Sequence, residues 1–258
     1  MFDAIRGVQM LNLFLRTLSQ GLQAFTPVVF ALIWFKRHDN FAAVTAVRRG
    51  LILTVPLTVI AGAFFYQTTA QIPIETLFAS LAVIIAGVFT RQLWRKSPKT
   101  PLSPIAILLI TTATVIIVLR ESMVSFATLW TALFDLQSVN ATLSILSSLS
   151  LAFCAALAWM SIGQRVSLNH LKTSTRLFSI GFLGQVLLFG SHEASEIGLL
   201  PWSELVHTAT ESYGPDGRYG IYLSALLLGL AIVTALSPSL RVGSIDTTNA
   251  KRETQEKS

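Results

Sequence analysis

Two glutamines one helical turn apart, Gln20 and Gln23, stand in the middle of an apolar stretch, with Ser19 beside them and Arg16 one turn earlier. Residues three and four apart share a helix face, so such a spacing presents polar groups together. Further along, Arg120 and Glu121 lie inside another apolar stretch, and Glu121 continues a stripe of Thr114, Ser125 and Thr128 at helical spacing. A third group reads Gly190-Ser191-His192-Glu193-Ala194-Ser195-Glu196. In it His192 and Glu196 are four apart, Glu193 and Glu196 three apart, and Gln185 precedes His192 by two turns on the same side. Imidazole and carboxylate on one face suit a hard or borderline cation. Inside a bilayer such groups are costly and mark either an ion path or a contact between helices.

Each group has a plainer alternative. The glutamines alone could join helices by hydrogen bonds worth about 0.6 to 2 kcal/mol each. Glu121 could pair with Arg120 or Arg16, because an ionised carboxylate in lipid must find a cation, a proton or donors. The His192 cluster could be an interfacial patch wetted by headgroups.

The elements that must position these residues follow from composition. With 52% hydrophobic residues, 12% charged residues and a mean hydropathy of +0.63, the chain is too apolar for an ordinary soluble domain. An all-α polytopic membrane protein is expected. The net charge of +6 comes from Lys and Arg in short loops rather than from one stripe, so it reads as membrane topology and not as nucleic-acid binding. The single Cys154 excludes an intrachain disulfide and a multi-cysteine metal site, and its apolar surroundings predict a packed thiol. His38, His170 and His207 are expected in loops, which argues against a membrane haem; neither haem nor nucleotide is expected. The first apolar stretch carries Arg16 and both glutamines and no small-residue cleavage site, so it reads as a retained span.

Seven spans are predicted, over about 8–35, 50–69, 74–94, 105–134, 139–162, 175–200 and 219–236, each near the roughly 20 apolar residues a bilayer needs. Residues 1–236 form one transmembrane domain, and the polar stretch 237–258 reads as a disordered tail. Ser19-Gln20-Gly21-Leu22-Gln23-Ala24-Phe25 in the first span corresponds to Arg120-Glu121-Ser122-Met123-Val124-Ser125-Phe126 in the fourth, and Ala31-Leu32 lines up with Ala132-Leu133. This reads as a diverged duplication. Three spans per repeat give an inverted 3+3 pair plus one further helix, an arrangement used for alternating access. Loops one, three and five are basic, which puts them and the C-terminus in the cytoplasm and the N-terminus outside.

The second half of the first span, the Arg120-Glu121 start, the segment Gly190-Ser191-His192-Glu193 through Glu196-Ile197-Gly198-Leu199-Leu200-Pro201 and the later Tyr213-Gly214-Pro215-Asp216-Gly217 together resemble the oxidase-dependent high-affinity ferric iron permeases. The resemblance runs from about Leu13 to Leu236, and its most specific part is the His-Glu segment. It implies seven spans with an outside N-terminus and Arg-Glu-x-x-Glu motifs in spans one and four whose carboxylates pass ferric iron. Here the first motif is Ser19-Gln20-Gly21-Leu22-Gln23, and the second keeps Arg120 and Glu121 but has Val124 in place of its second glutamate. One of four central carboxylates remains, and neutral amide oxygens compensate poorly for the dehydration of a small trivalent ion.

The expectation is therefore a permease and not an enzyme, with iron as the transported ion moving between spans one, four and six. Glu121, His192, Glu193 and Glu196 are the expected metal ligands, and Ser19, Gln20, Gln23, Arg120 and Gln185 line the path. A bacterial inner membrane is the expected location. Its partners would be membrane lipid, a periplasmic or extracellular iron-binding or oxidase protein and further copies of the chain, with no nucleic acid. Carriage of a different cation, or a non-transporting subunit that keeps the fold as a scaffold, is the alternative.

Overall fold

Runs of Leu, Ile, Val, Ala and Phe too long for a soluble helix, broken by short turns, give a bundle of long helices. The computed structural model describes residues 2–67, 77, 81, 84, 86–88, 90–91, 102–134, 139–196, 198–201, 203–212, 217 and 219–237, and among these there is no strand. The helices are α1 (Phe2–Arg37), α2 (Phe41–Gln67), α3 (Pro104–Phe134), α4 (Val139–Arg165), α5 (Leu168–Glu196), the short α6 (Glu204–Glu211) and α7 (Gly220–Leu236). Most of the expected 74–94 span and the tail from residue 238 lie outside the described residues; those described between 77 and 91 are helical.

Four helices among the described residues are long and apolar enough to cross a bilayer: Gln9–Arg37, Phe41–Phe64, Pro104–Leu133 and Val139–Arg165. The chain thus has the build of an integral membrane protein. Helix α5 covers most of the expected 175–200 span but falls outside that group, and α7 has 17 residues.

Helix α1 is the core of the bundle. Its most apolar window is 83% buried against 33% for α2 and 28% for α4, and it touches α2, α3, α4, α5 and α7. The most extensive contacts are those of α1 with α4 and of α2 with α3. Small residues make both possible: a Cβ on Gly21 would stand 2.7 Å from Ala152 Cβ, and one on Gly62 would stand 2.6 Å from the Phe126 ring. Without a hydrophobic driving force in lipid, such close approach is what gives helices their dispersion contact. Phe30 locks the centre, stacked on Trp159 of α4 at 4.5 Å and on Phe178 of α5 at 4.1 Å. Each aromatic pair of this kind contributes about 0.5 to 1.5 kcal/mol beyond its buried area.

Three sequence expectations are corrected. Cys154 is not packed but exposed, because α4 turns Ala141, Ile145, Ser148, Ala152, Ala156, Trp159 and Gly163 inward at helical spacing and Cys154 falls off that stripe. His170 is not in a loop: Ser167 accepts from the His170 backbone N–H at 3.4 Å at the start of α5, and His170 is buried in the first turn. His207 is likewise helical, on α6. His38 does sit in the turn after α1, where its ring Nδ1 donates to the Trp34 carbonyl at 2.8 Å.

Candidate functional site

Where α1 crosses α3, a cavity of about 190 Å³ opens beside the two similar heptapeptides. Its lining includes Gln20 and Glu121, Gly21 and Ser122, Ala24 and Ser125, and Phe25 and Phe126, pairwise the corresponding positions of the two segments, together with Thr58, Leu129 and Leu149. Ser125 Oγ donates to Gln20 Oε1 at 2.8 Å, so the two helices are joined across the cavity by a buried hydrogen bond. Of the two cations considered for Glu121, Arg120 is the one that pairs with it, and both side chains are buried. Arg16 faces outward. Ser19 Oγ is buried and has no hydrogen-bond partner among the described residues.

Pro27 stands inside α1 and carries no N–H, so the backbone carbonyl of Gln23, four residues earlier, lacks its intrahelical donor. A hard oxygen is thereby left beside the polar face of α1. The Gln23 side chain turns to α7, where its amide donates to Ser224 Oγ at 3.4 Å, and Gln185 of α5 donates to the same hydroxyl at 3.3 Å. Gln23 and Gln185 are thus bridged by a serine that the sequence did not single out, while Gln20 is bonded to α3.

From Gln185 the face of α5 continues one turn to Phe189 and another to His192. The Arg120 guanidinium lies 3.7 Å from the centre of the Phe189 ring, a cation–π contact that holds it against α5. At the end of the face His192 Nε2 is 3.4 Å from Glu196 Oε1, and its ring stacks on His207 at 4.5 Å. His207 Nε2 in turn stands 3.8 Å from Glu211 Oε2. The ligand atoms of His192, Glu196 and His207 all lie within 4.8 Å of one another. Glu193 is buried, but its carboxylate does not belong to this cluster.

The cluster depends on a turn. Gly198, at φ 76°, accepts the left-handed conformation that ends α5, with its N–H on the Ser195 carbonyl at 3.1 Å and the Leu199 N–H on Ala194 at 2.9 Å. The chain then reverses into α6, which brings His207 and Thr210 back over His192. His207, Thr210, Ser224 and Phe189 were not expected at the site. The repetition of the His-x-x-x-Glu spacing of His192 and Glu196 at His207 and Glu211 is the signal that points to the first of them.

No protein-family model, curated protein or solved structure matches this chain.

Proposed function

We propose that the chain is a cation permease of the ferric iron permease type, carrying iron inward along the polar groups shared by α1, α3 and α5. The observation that carries this reading is the cavity between corresponding positions of the two heptapeptides, with Gln20 and Glu121 among the residues around it. The helix contacts support an inverted repeat of the first six spans plus one. Exchanging α1 with α3 and α2 with α4 turns the α1–α4 contact into the α3–α2 contact, the two most extensive in the bundle. In this reading the N-terminus and α6 face the outside, the basic loops and the C-terminus face the cytoplasm of a bacterial inner membrane, and an extracytoplasmic iron-binding or oxidase protein delivers the ion. No reaction is catalysed.

The chemistry of the path limits the ion. Arg120 neutralises Glu121, so the polar groups beside the cavity carry no net negative charge. A trivalent ion is poorly compensated there, and a divalent one fits better. Uptake of iron into vesicles containing the purified chain tests the proposal: Glu121→Gln should remove most of it, because the carboxylate beside the cavity is lost. A specific observation favours a second reading, that the chain is a non-transporting scaffold. The Arg120 guanidinium, held over Phe189 and paired with Glu121, takes up the carboxylate that an ion would need on the face leading from His192 to Gln185. Wild-type vesicles that admit neither ferrous nor ferric iron nor another divalent cation, with the delivery partner present, would leave the scaffold.

A further inference from the structure

We propose that His192, Glu196 and His207 form a binding site for a divalent transition-metal ion at the end of α5, closed by α6. The site rests on the permease reading for what the ion does next, but not for whether it binds.

The contacts of the His192 ring aim it at the cluster. Thr210 Oγ1 has one proton and donates it to the His207 carbonyl at 3.2 Å. The same hydroxyl lies 3.3 Å from His192 Nδ1 and braces that side of the ring. On the other side of the ring Nε2 lies 3.4 Å from Glu196 Oε1, so an imidazole nitrogen and a carboxylate oxygen converge there. A metal ion at about 2.0 to 2.2 Å from each would join the two, with the Thr210 hydroxyl as the outer partner that aims the ring.

The remaining geometry agrees. Tetrahedral ligation at about 2.1 Å sets ligand atoms about 3.4 Å apart, so the spread of up to 4.8 Å closes by rotation of the half-exposed His207 ring. The C-terminal end of a helix carries partial negative charge and favours a cation. Two neutral imidazoles and one carboxylate are the donors of ferrous and zinc sites, softer and less charged than ferric iron prefers. Three protein ligands leave a coordination position open, which suits an ion that is captured and released rather than held for structure.

The test is titration of the purified full chain in detergent with Co²⁺, read by the visible absorption of the tetrahedral ion. Wild type should bind one Co²⁺ per chain and release it to Zn²⁺ or Fe²⁺. His207→Ala should weaken binding by more than the about 10- to 100-fold that loss of an outer partner costs. His207→Cys should retain binding and add a thiolate-to-cobalt band, while Glu204→Gln on the exposed side of α6 should change nothing. No Co²⁺ bound by a normally helical wild type, equal binding by His207→Ala, or retention by His207→Cys without the new band would each overturn the site. Binding with this pattern but no iron uptake in vesicles would overturn the permease reading and leave the site standing.

Discussion

Ser125 on α3 and Gln20 on α1 hold the two similar segments together, hydroxyl to amide oxygen at 2.8 Å, with both residues buried. Gln20 corresponds to Glu121 in the repeat, so the bond joins one arm of the cavity to the position that mirrors the ion-paired arm.

Ser125→Ala removes that bond with little change of volume. It should lower stability by about 0.6 to 2 kcal/mol, the range for such bonds in membrane proteins, as read by unfolding in mixed micelles. Gln20→Glu keeps the acceptor and adds a charge. A unit charge about 4 Å from another is worth roughly 4 kcal/mol at an effective dielectric of 20, so iron affinity in the uptake assay should rise by orders of magnitude. An unchanged affinity would remove Gln20 from the path.

Arg120 and Glu121 should prove strongly coupled. Arg120→Gln leaves a carboxylate buried without its cation, a loss of the kind that costs about 3 to 5 kcal/mol. Glu121→Gln leaves the guanidinium over Phe189, where the ring still attracts it, and should cost less. The double variant should be more stable than Arg120→Gln alone. A double-mutant cycle that closes additively would show that the pair is screened and contributes nothing.

How far the sequence could lead depended on the distance over which each residue is determined. The long apolar runs that became α1 to α4 needed only local composition, and the Gln20, Gln23 and Glu121 stripes needed only helical spacing. The partners of those stripes needed tertiary contact: Ser224 lies 201 positions from Gln23. His207 escaped because its place is set by the reversal at Gly198 and not by anything near His207 itself. Cys154 was misplaced because an apolar stretch in lipid has two apolar faces, and hydropathy cannot tell the buried one from the one turned to the bilayer.

The helix crossing beneath the cavity should tolerate no added bulk. Gly21→Leu forces a side chain into Ala152 and Leu149 of α4, where even a Cβ stands at 2.7 Å. Overpacking of this kind costs about 1 to 3 kcal/mol. Because α1 touches all the other long helices among the described residues, the whole bundle should lose thermal stability in detergent. Gly184→Ala, where an added Cβ meets nothing within 4 Å, is the matched control and should be neutral. Equal melting temperatures for the two variants would mean that α1 and α4 separate freely.

The side on which α6 lies decides whether the His192 cluster faces the ion supply. Lys and Arg concentrate in loops one, three and five, and the proposed orientation, with α6 and its flanks outside, rests on retention of that positive charge. Cys154 is exposed on the outer face of α4, so labelling must start from Cys154→Ala. In that background Ser203→Cys, at an exposed position just before α6, should react with a membrane-impermeant thiol reagent added to intact cells. Ser97→Cys, in the basic third loop, should react only after the membrane is opened. Labelling of Ser97→Cys alone from outside would invert the topology and put His192, Glu196 and His207 at the cytoplasmic exit, where they would serve release of the ion instead of its capture.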